Sequence, residues 1–234
     1  MKKIIYLLLT MFVLSACGHS ETTKVEDPVP SPEDFDRGHY GLDVSHHNGN
    51  KWGSDMPAYI NFVYVKATEG KTFKDPLYKQ NLEEAKIACT AFPPNYHKYI
   101  GAYHFFKQEV PAKLQFQNIK ETVDPKEITL PLAVDFEFVH YRSKEELNQV
   151  QNTLYELLVL IEKYYGKKPI IYCNPRGYSL FIGNHDKLKH YNIWLDAKLN
   201  PKCNIPNVVI KQIRIEDFNN HLIDLNICPN LKVI

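Results

Sequence analysis

Leu130-Pro131-Leu132-Ala133-Val134-Asp135-Phe136-Glu137 is an apolar run broken by one acid before it ends in a second. It is too short for a core helix and reads as a strand buried on both faces, as parallel strands are. The next segment, Lys144 to Tyr164, carries Leu147, Val150, Leu154, Leu157 and Ile161, with Tyr165 beyond it, at spacings of three and four. That spacing predicts an amphipathic helix. Ser143 and Glu146 form a capping box at its start, and Gly166 supplies its stop. Pro169-Ile170-Ile171-Tyr172-Cys173 then returns as a strand, completing a strand–helix–strand unit.

The same alternation extends both ways. Upstream lie strands Gly41–Val44, Phe62–Ala67 and Ile100–Phe106. Between them come a helix opened by Asp75-Pro76 and carrying Leu82, Ala85 and Cys89, and a weaker helix near Lys113 to Thr122. Downstream, Asn192–Leu195, Val208–Ile213 and Leu222–Leu225 are strands with shorter connections. About eight strands emerge, which predicts an α/β fold with parallel strands closed as a TIM-like (β/α) barrel. An open doubly wound sheet is the alternative, but it calls for a Gly-rich phosphate loop after the first strand and none follows Val44.

The N-terminus predicts export. Met1-Lys2-Lys3 precedes an apolar run, Ile4 to Leu14, and then Leu14-Ser15-Ala16-Cys17, which resembles a bacterial lipobox. Residues 1–16 are expected to be a lipoprotein signal peptide and Cys17 the lipidated residue. Residues 17–37, rich in Pro, Glu, Asp, Ser and Thr, are expected to be a flexible tether, and 38–234 the catalytic domain. An ordinary signal peptide with a chance cysteine is the plainer alternative. Loss of Lys2 and Lys3 with the leader takes the formal charge from +1 to −1, so no basic excess suggests a nucleic-acid partner. Cys89, Cys173, Cys203 and Cys228 remain; an oxidising envelope would permit pairing, though buried free thiols are the simpler expectation.

In a barrel of this kind the chemistry sits at the C-terminal ends of the strands. The acids there are Asp43, Asp135 with Glu137, Asp196, and Asp224 in the last strand. Asp135 and Glu137, at i and i+2, point the same way about 6–7 Å apart. Two carboxylates that close in an apolar setting cannot both ionise easily, which yields a protonated acid near neutral pH. Glycoside hydrolysis uses such a pair. The plainer alternative makes Glu137 the first solvated loop residue and Asp135 an acceptor for neighbouring backbone N–H groups. Asp43-Val44-Ser45-His46-His47-Asn48-Gly49 likewise reads equally as a turn. Spacing suggests no third ligand for His46 and His47, so no metal is expected. Tyr64, Tyr103, Tyr172 and Trp194, near strand ends, offer faces on which sugars stack.

Taken together these strings resemble the Chalaropsis-type lysozymes, glycoside hydrolase family 25. They are Gly41–Gly49, Phe62–Gly70, Gly101–Phe106, Pro131–Glu137, Pro169–Tyr172, Ile193–Leu195 and Ile223–Asn226, in family order. The resemblance implies a barrel flattened and irregular in its C-terminal half, and hydrolysis of the β-1,4 bond between N-acetylmuramic acid and N-acetylglucosamine. It implies Glu137 as acid/base and Asp135 as the acid that assists the substrate's own N-acetyl group, with Asp43 and Asp224 lining the site. Tyr64, Lys66, Tyr103, Tyr172, Trp194 and Gln212 are the expected substrate-binding residues. No cofactor is implied; peptidoglycan and, through Cys17, a membrane are the expected partners of a monomer facing outside the cytoplasm. One string departs: a Trp-Gln-Tyr of the family stands here as Lys211-Gln212-Ile213. A non-catalytic glycan-binding envelope protein and a chitinase-like hydrolase stay open as alternatives.

Overall fold

Nine short runs rich in β-branched and aromatic residues form strands in the computed structural model, which describes residues 38–49, 51–88, 99–137, 140–200, 203 and 205–231. They are β1 (His39–Val44), β2 (Ile60–Glu69), β3 (Phe73–Lys74), β4 (Tyr99–Phe105), β5 (Ala133–Asp135), β6 (Ile170–Cys173), β7 (Asn192–Asp196), β8 (Val208–Phe218) and β9 (His221–Cys228). The expected leader, Cys17, the tether and Cys89 lie outside the described residues. Eight strands close a barrel in the order β1-β2-β4-β5-β6-β7-β8-β9 and back to β1, with β3 added to the far end of β2.

The expected barrel is present, but its strands are not all parallel. β9 runs antiparallel to both β8 and β1. The cause is local: Asn219 and Asn220 both adopt positive φ, 51° and 72°, in the two-residue link between β8 and β9. Asn tolerates that region, and two such residues in succession make the turn that folds a strand back on its neighbour. The chain therefore closes the barrel with a hairpin where a crossover helix would keep the strands parallel.

Three helices cover the first half: α1 (Tyr78–Ala88), α2 (Ala112–Thr122) and α3 (Lys144–Tyr165). In α3, Val150, Leu154, Leu157, Leu158 and Ile161 are buried, as the periodicity requires. Ser143 Oγ accepts from Glu146 N at 3.2 Å, and Gly166 closes the helix at φ 69°. The capping box differs in one partner: the Glu146 carboxylate accepts from Arg142 N at 2.6 Å, one residue earlier than expected. The helix opened by Asp75 begins at Tyr78; Asp75 Oδ1 accepts from Leu77 N, while Oδ2 accepts from His46 N at 3.1 Å and meets His46 Nδ1 at 2.7 Å. One carboxylate thus ties the turn after β1 to the start of α1.

Alternate residues of each strand serve two layers. One set, including Leu42, Val63, Val65, Val134 and Ile171, packs with the helices; the other, including Phe62, Tyr64, Ile170, Trp194 and Ile210, packs as a separate cluster that fills the barrel. Gly41 and Gly101 make room for that filling: a Cβ at either would lie 2.3 Å from the ring of Phe62 or Tyr64 respectively. His104, fully buried, meets Thr68 Oγ1 at 2.8 Å and Gln115 Oε1 at 3.0 Å, and burial pushes its pKa down to about 4. It is a neutral structural group. Cys173, Cys203 and Cys228 are free thiols. Among the described residues no helix is long and apolar enough to cross a membrane.

Candidate active site

The strand ends bring the four expected acids to one cavity of about 200 Å³, lined by Asp43, Tyr103, Asp135, Glu137, Tyr172, Trp194, Lys198, Gln212 and Asp224. Asp43 comes from the end of β1, and Asp135 is the last residue of β5 with Glu137 two positions on. Asp224 reaches the same mouth from the first half of the reversed β9, where it stands directly opposite Asp43 in the ladder. β5 is only three residues long, Pro131 and Leu132 standing before it outside the strand.

A hydrogen-bond network fixes the wall formed by β1, β8 and β9. Gln212 Nε2 and Asn226 Nδ2 both donate to Asp43 Oδ2, at 2.9 and 2.7 Å. Gln212 Oε1 accepts from the Tyr172 hydroxyl at 2.8 Å and from Lys198 Nζ. Trp194 Nε1 donates to Asn226 Oδ1 at 2.8 Å, which fixes that amide's orientation too.

All four carboxyls sit above their ordinary range. Burial, then the charge of Asp224, pushes Asp43 up to about 7, although two amide donors and Lys198 oppose the shift. Asp135 is driven well up by burial and then by Glu137; its Oδ1 is buried and has no hydrogen-bond partner among the described residues. Glu137 is raised by burial and then by Asp196, and Asp224 chiefly by burial. The site therefore holds protons at neutral pH and can give one up, which is what general acid catalysis of bond cleavage needs. Tyr103 and Tyr172 are shifted far upward, mainly by burial, so both phenols stay neutral hydrogen-bonding groups.

Two expected substrate-binding residues are elsewhere. Tyr64 is 0% exposed, donates to Pro131 O at 3.1 Å and packs on Trp194 at 4.8 Å between ring centroids, beneath the cavity and not in its lining. Lys66 turns to Glu69 at 3.1 Å, and its ammonium lies over the Phe73 and Phe105 rings. It reaches the site only through its charge, which favours ionised Asp135. Sequence reasoning misses Lys198 and Asn226. Asn226 is legible as the i+2 partner of Asp224; Lys198 is a cation just past a strand end, where the chemistry of sugar cleavage directs attention to acids and aromatics.

Glu137 also borders two neighbouring cavities. One, of about 560 Å³, is lined by Phe136, His140, Asn174, Arg176, Gly177, Leu180 and Phe181 as well; the other, of about 470 Å³, by Phe105, Phe106, Lys107, Gln108, Glu109 and His140. The acid thus stands where three cavities meet at the mouth of the barrel.

Residues 42–206 match the family described as glycosyl hydrolases family 25. The chain is 31% identical to the uncharacterized protein YegX of Escherichia coli K12 over 136 residues, 58% of this chain and 45% of that protein. It is 39% identical to lysozyme M1 of Streptomyces globisporus over 66 residues, 28% of this chain and 20% of that one. The matched stretch thus spans less than half of either curated relative. Among solved structures, a family 25 glycosyl hydrolase from Bacillus anthracis superposes with a TM-score of 0.67 at 25% identity, covering 83% of this chain and 90% of that one. A family GH25 lysozyme from Aspergillus fumigatus gives the same score at 20% identity, covering 84% and 96%, and shows likeness of fold.

Proposed function

The chain belongs to glycosyl hydrolases family 25, and from that premise we propose that it is a lysozyme-type muramidase cutting the β-1,4 bond between N-acetylmuramic acid and N-acetylglucosamine. The observation that carries the reading is the Asp135–Glu137 pair, both raised in pKa, at the mouth of a barrel with a second cavity beside Glu137. Glu137 is the general acid: its proton goes to the glycosidic oxygen as the bond to the anomeric carbon breaks. The carbonyl oxygen of the substrate's own N-acetyl group forms the new bond to that carbon. Asp135 accepts the acetamido N–H and stabilises the positive charge that grows there. Glu137, now a carboxylate, takes a proton from the water that opens the ring intermediate, so configuration is retained.

The proton inventory supports this order of events. Burial raises both carboxyls and the charge of Glu137 raises Asp135 further, so in the free site the two do not readily ionise together. An acetamido N–H donated to Asp135 stabilises its carboxylate form and sends the proton to Glu137, where it is needed. Substrate binding would therefore arm the acid.

The test is to incubate the protein with purified peptidoglycan, reduce the products and identify the new ends. Ends derived from N-acetylmuramic acid are expected. Ends derived from N-acetylglucosamine, or cleavage of chitin oligomers at an equal rate, would replace the muramidase by a different glycosidase. Sedimentation with peptidoglycan and no cleavage would leave a binding protein whose Lys211–Ile213 wall is the first suspect.

The N-terminal reading adds where this happens: the enzyme is held at a membrane by lipid on Cys17, facing outside the cytoplasm. Several acyl chains hold far more firmly than one. Cys17→Ser is expected to move the protein from the membrane fraction to the soluble one; continued membrane fractionation would rule out the lipid anchor.

A further inference from the structure

Lys198 lies two residues beyond the end of β7, on a turn pinned by its own backbone N–H donating to Asp196 Oδ1 at 3.2 Å. Its ammonium reaches back into the cavity, bonding Gln212 Oε1 and standing 3.2 Å from Asp224 Oδ1 and 3.7 Å from Asp196 Oδ1. Among the described residues it is the single cation in the lining, facing four carboxyls. We propose that Lys198 is a positioning residue that orients Gln212 and decides which of the site's carboxyls carry protons.

Donor chemistry sets the orientation of the Gln212 amide. An ammonium only donates, so Lys198 demands the oxygen of the Gln212 amide, which also accepts from the Tyr172 hydroxyl. The amide nitrogen is thereby left to donate to Asp43 Oδ2. Turned the other way, Gln212 would set N–H against N–H and an oxygen against a carboxylate.

Acids surround the ammonium. Asp196 faces it from its own turn, Asp224 from β9, Asp43 from β1 and Glu137 from just beyond β5; Tyr103 and Tyr172 are neutral, and Asp135 also lines the cavity. Lys198 favours the ionised forms of Asp224, Asp43 and Glu137. Without it these groups would hold protons to higher pH, so the site would stay protonated further into the alkaline range.

The test is a carbon-13 titration of Asp side-chain carboxyls in the full chain, with Asp43 and Asp224 assigned through Asp43→Asn and Asp224→Asn. Lys198→Met keeps the stem and removes the charge; it should raise both midpoints by about one pH unit, and Lys198→Arg should restore them. The pH profile of kcat/KM, which rests on the muramidase reading, should move to the alkaline side by a similar amount with little change in KM. Unmoved midpoints in a folded Met variant, or an Arg variant that titrates like Met, would overturn the inference. If Met does not fold, Lys198→Gln carries the same expectation. The titration needs no turnover: midpoints that shift in a protein without hydrolytic activity would remove the muramidase and leave the role of Lys198 standing.

Discussion

Glu137→Gln is expected to cut peptidoglycan hydrolysis by roughly 10³-fold or more while the protein stays folded and still sediments with its substrate. General acid catalysis contributes about 10²–10⁴-fold, and a sugar alkoxide is a poor leaving group, which places this loss toward the upper end. The amide matches the carboxyl in shape and cannot give up a proton. It also removes a group whose charge is opposed by burial and by Asp196, so thermal stability should be unchanged or higher. Reducing-end release at saturating peptidoglycan, alongside a melting curve, reads both effects. A variant that keeps more than about a tenth of the wild-type rate would mean that the proton comes from elsewhere, because no general acid is that dispensable. Asp135, the other raised carboxyl of the pair, would then be the first alternative.

Glu137 is legible in the amino-acid sequence because of where it stands. An acid two residues after another, at the end of an apolar strand, has few places to point, and the barrel rule says which end matters. Tyr64 shows the limit of that reasoning. Inward-facing side chains of a barrel stack in layers, and a tyrosine at a strand end belongs to the mouth or to the layer beneath it according to register. Tyr64 pairs with Gly101, two residues earlier than the Lys66–Tyr103 pair on the same strands, so it fills the barrel where Tyr103 lines the cavity. Register depends on partners distant in sequence, which local pattern does not contain. The reversal of β9 is a different case. Asn219-Asn220 between two strand runs is a hairpin signal in the sequence, but the alternation of earlier elements argued for parallel strands throughout. Lys198 is placed by an irregular turn with no periodicity to follow.

Asp43→Asn should stabilise the protein at pH 8 by about 2–4 kcal/mol and lose that advantage as the pH falls toward 4. The folded carboxyl titrates at about 7 against an ordinary value of 3.8. Between those values the folded state holds a proton that the unfolded chain has released, so stability falls as pH rises through that window. Above it the full cost is present, about 1.36 kcal/mol for each pH unit that separates the two values. Asparagine carries no charge, and its Oδ1 can accept from Gln212 and Asn226 as the carboxylate does. The repulsion that Asp224 exerts on the Asp43 charge would be gone. For a domain of this size the gain at pH 8 corresponds to roughly 5–15 °C in melting temperature. The comparison to make is variant against wild type at several pH values, since the other raised acids titrate in both proteins and largely cancel. A gain that is the same at pH 5 and pH 8, or a loss at pH 8, would show that Asp43 is a contented, paired carboxylate. The expected result has a functional cost attached. If Asp43 is kept although a neutral residue would be more stable, the charge serves the reaction, and the variant should be the more stable and the less active protein.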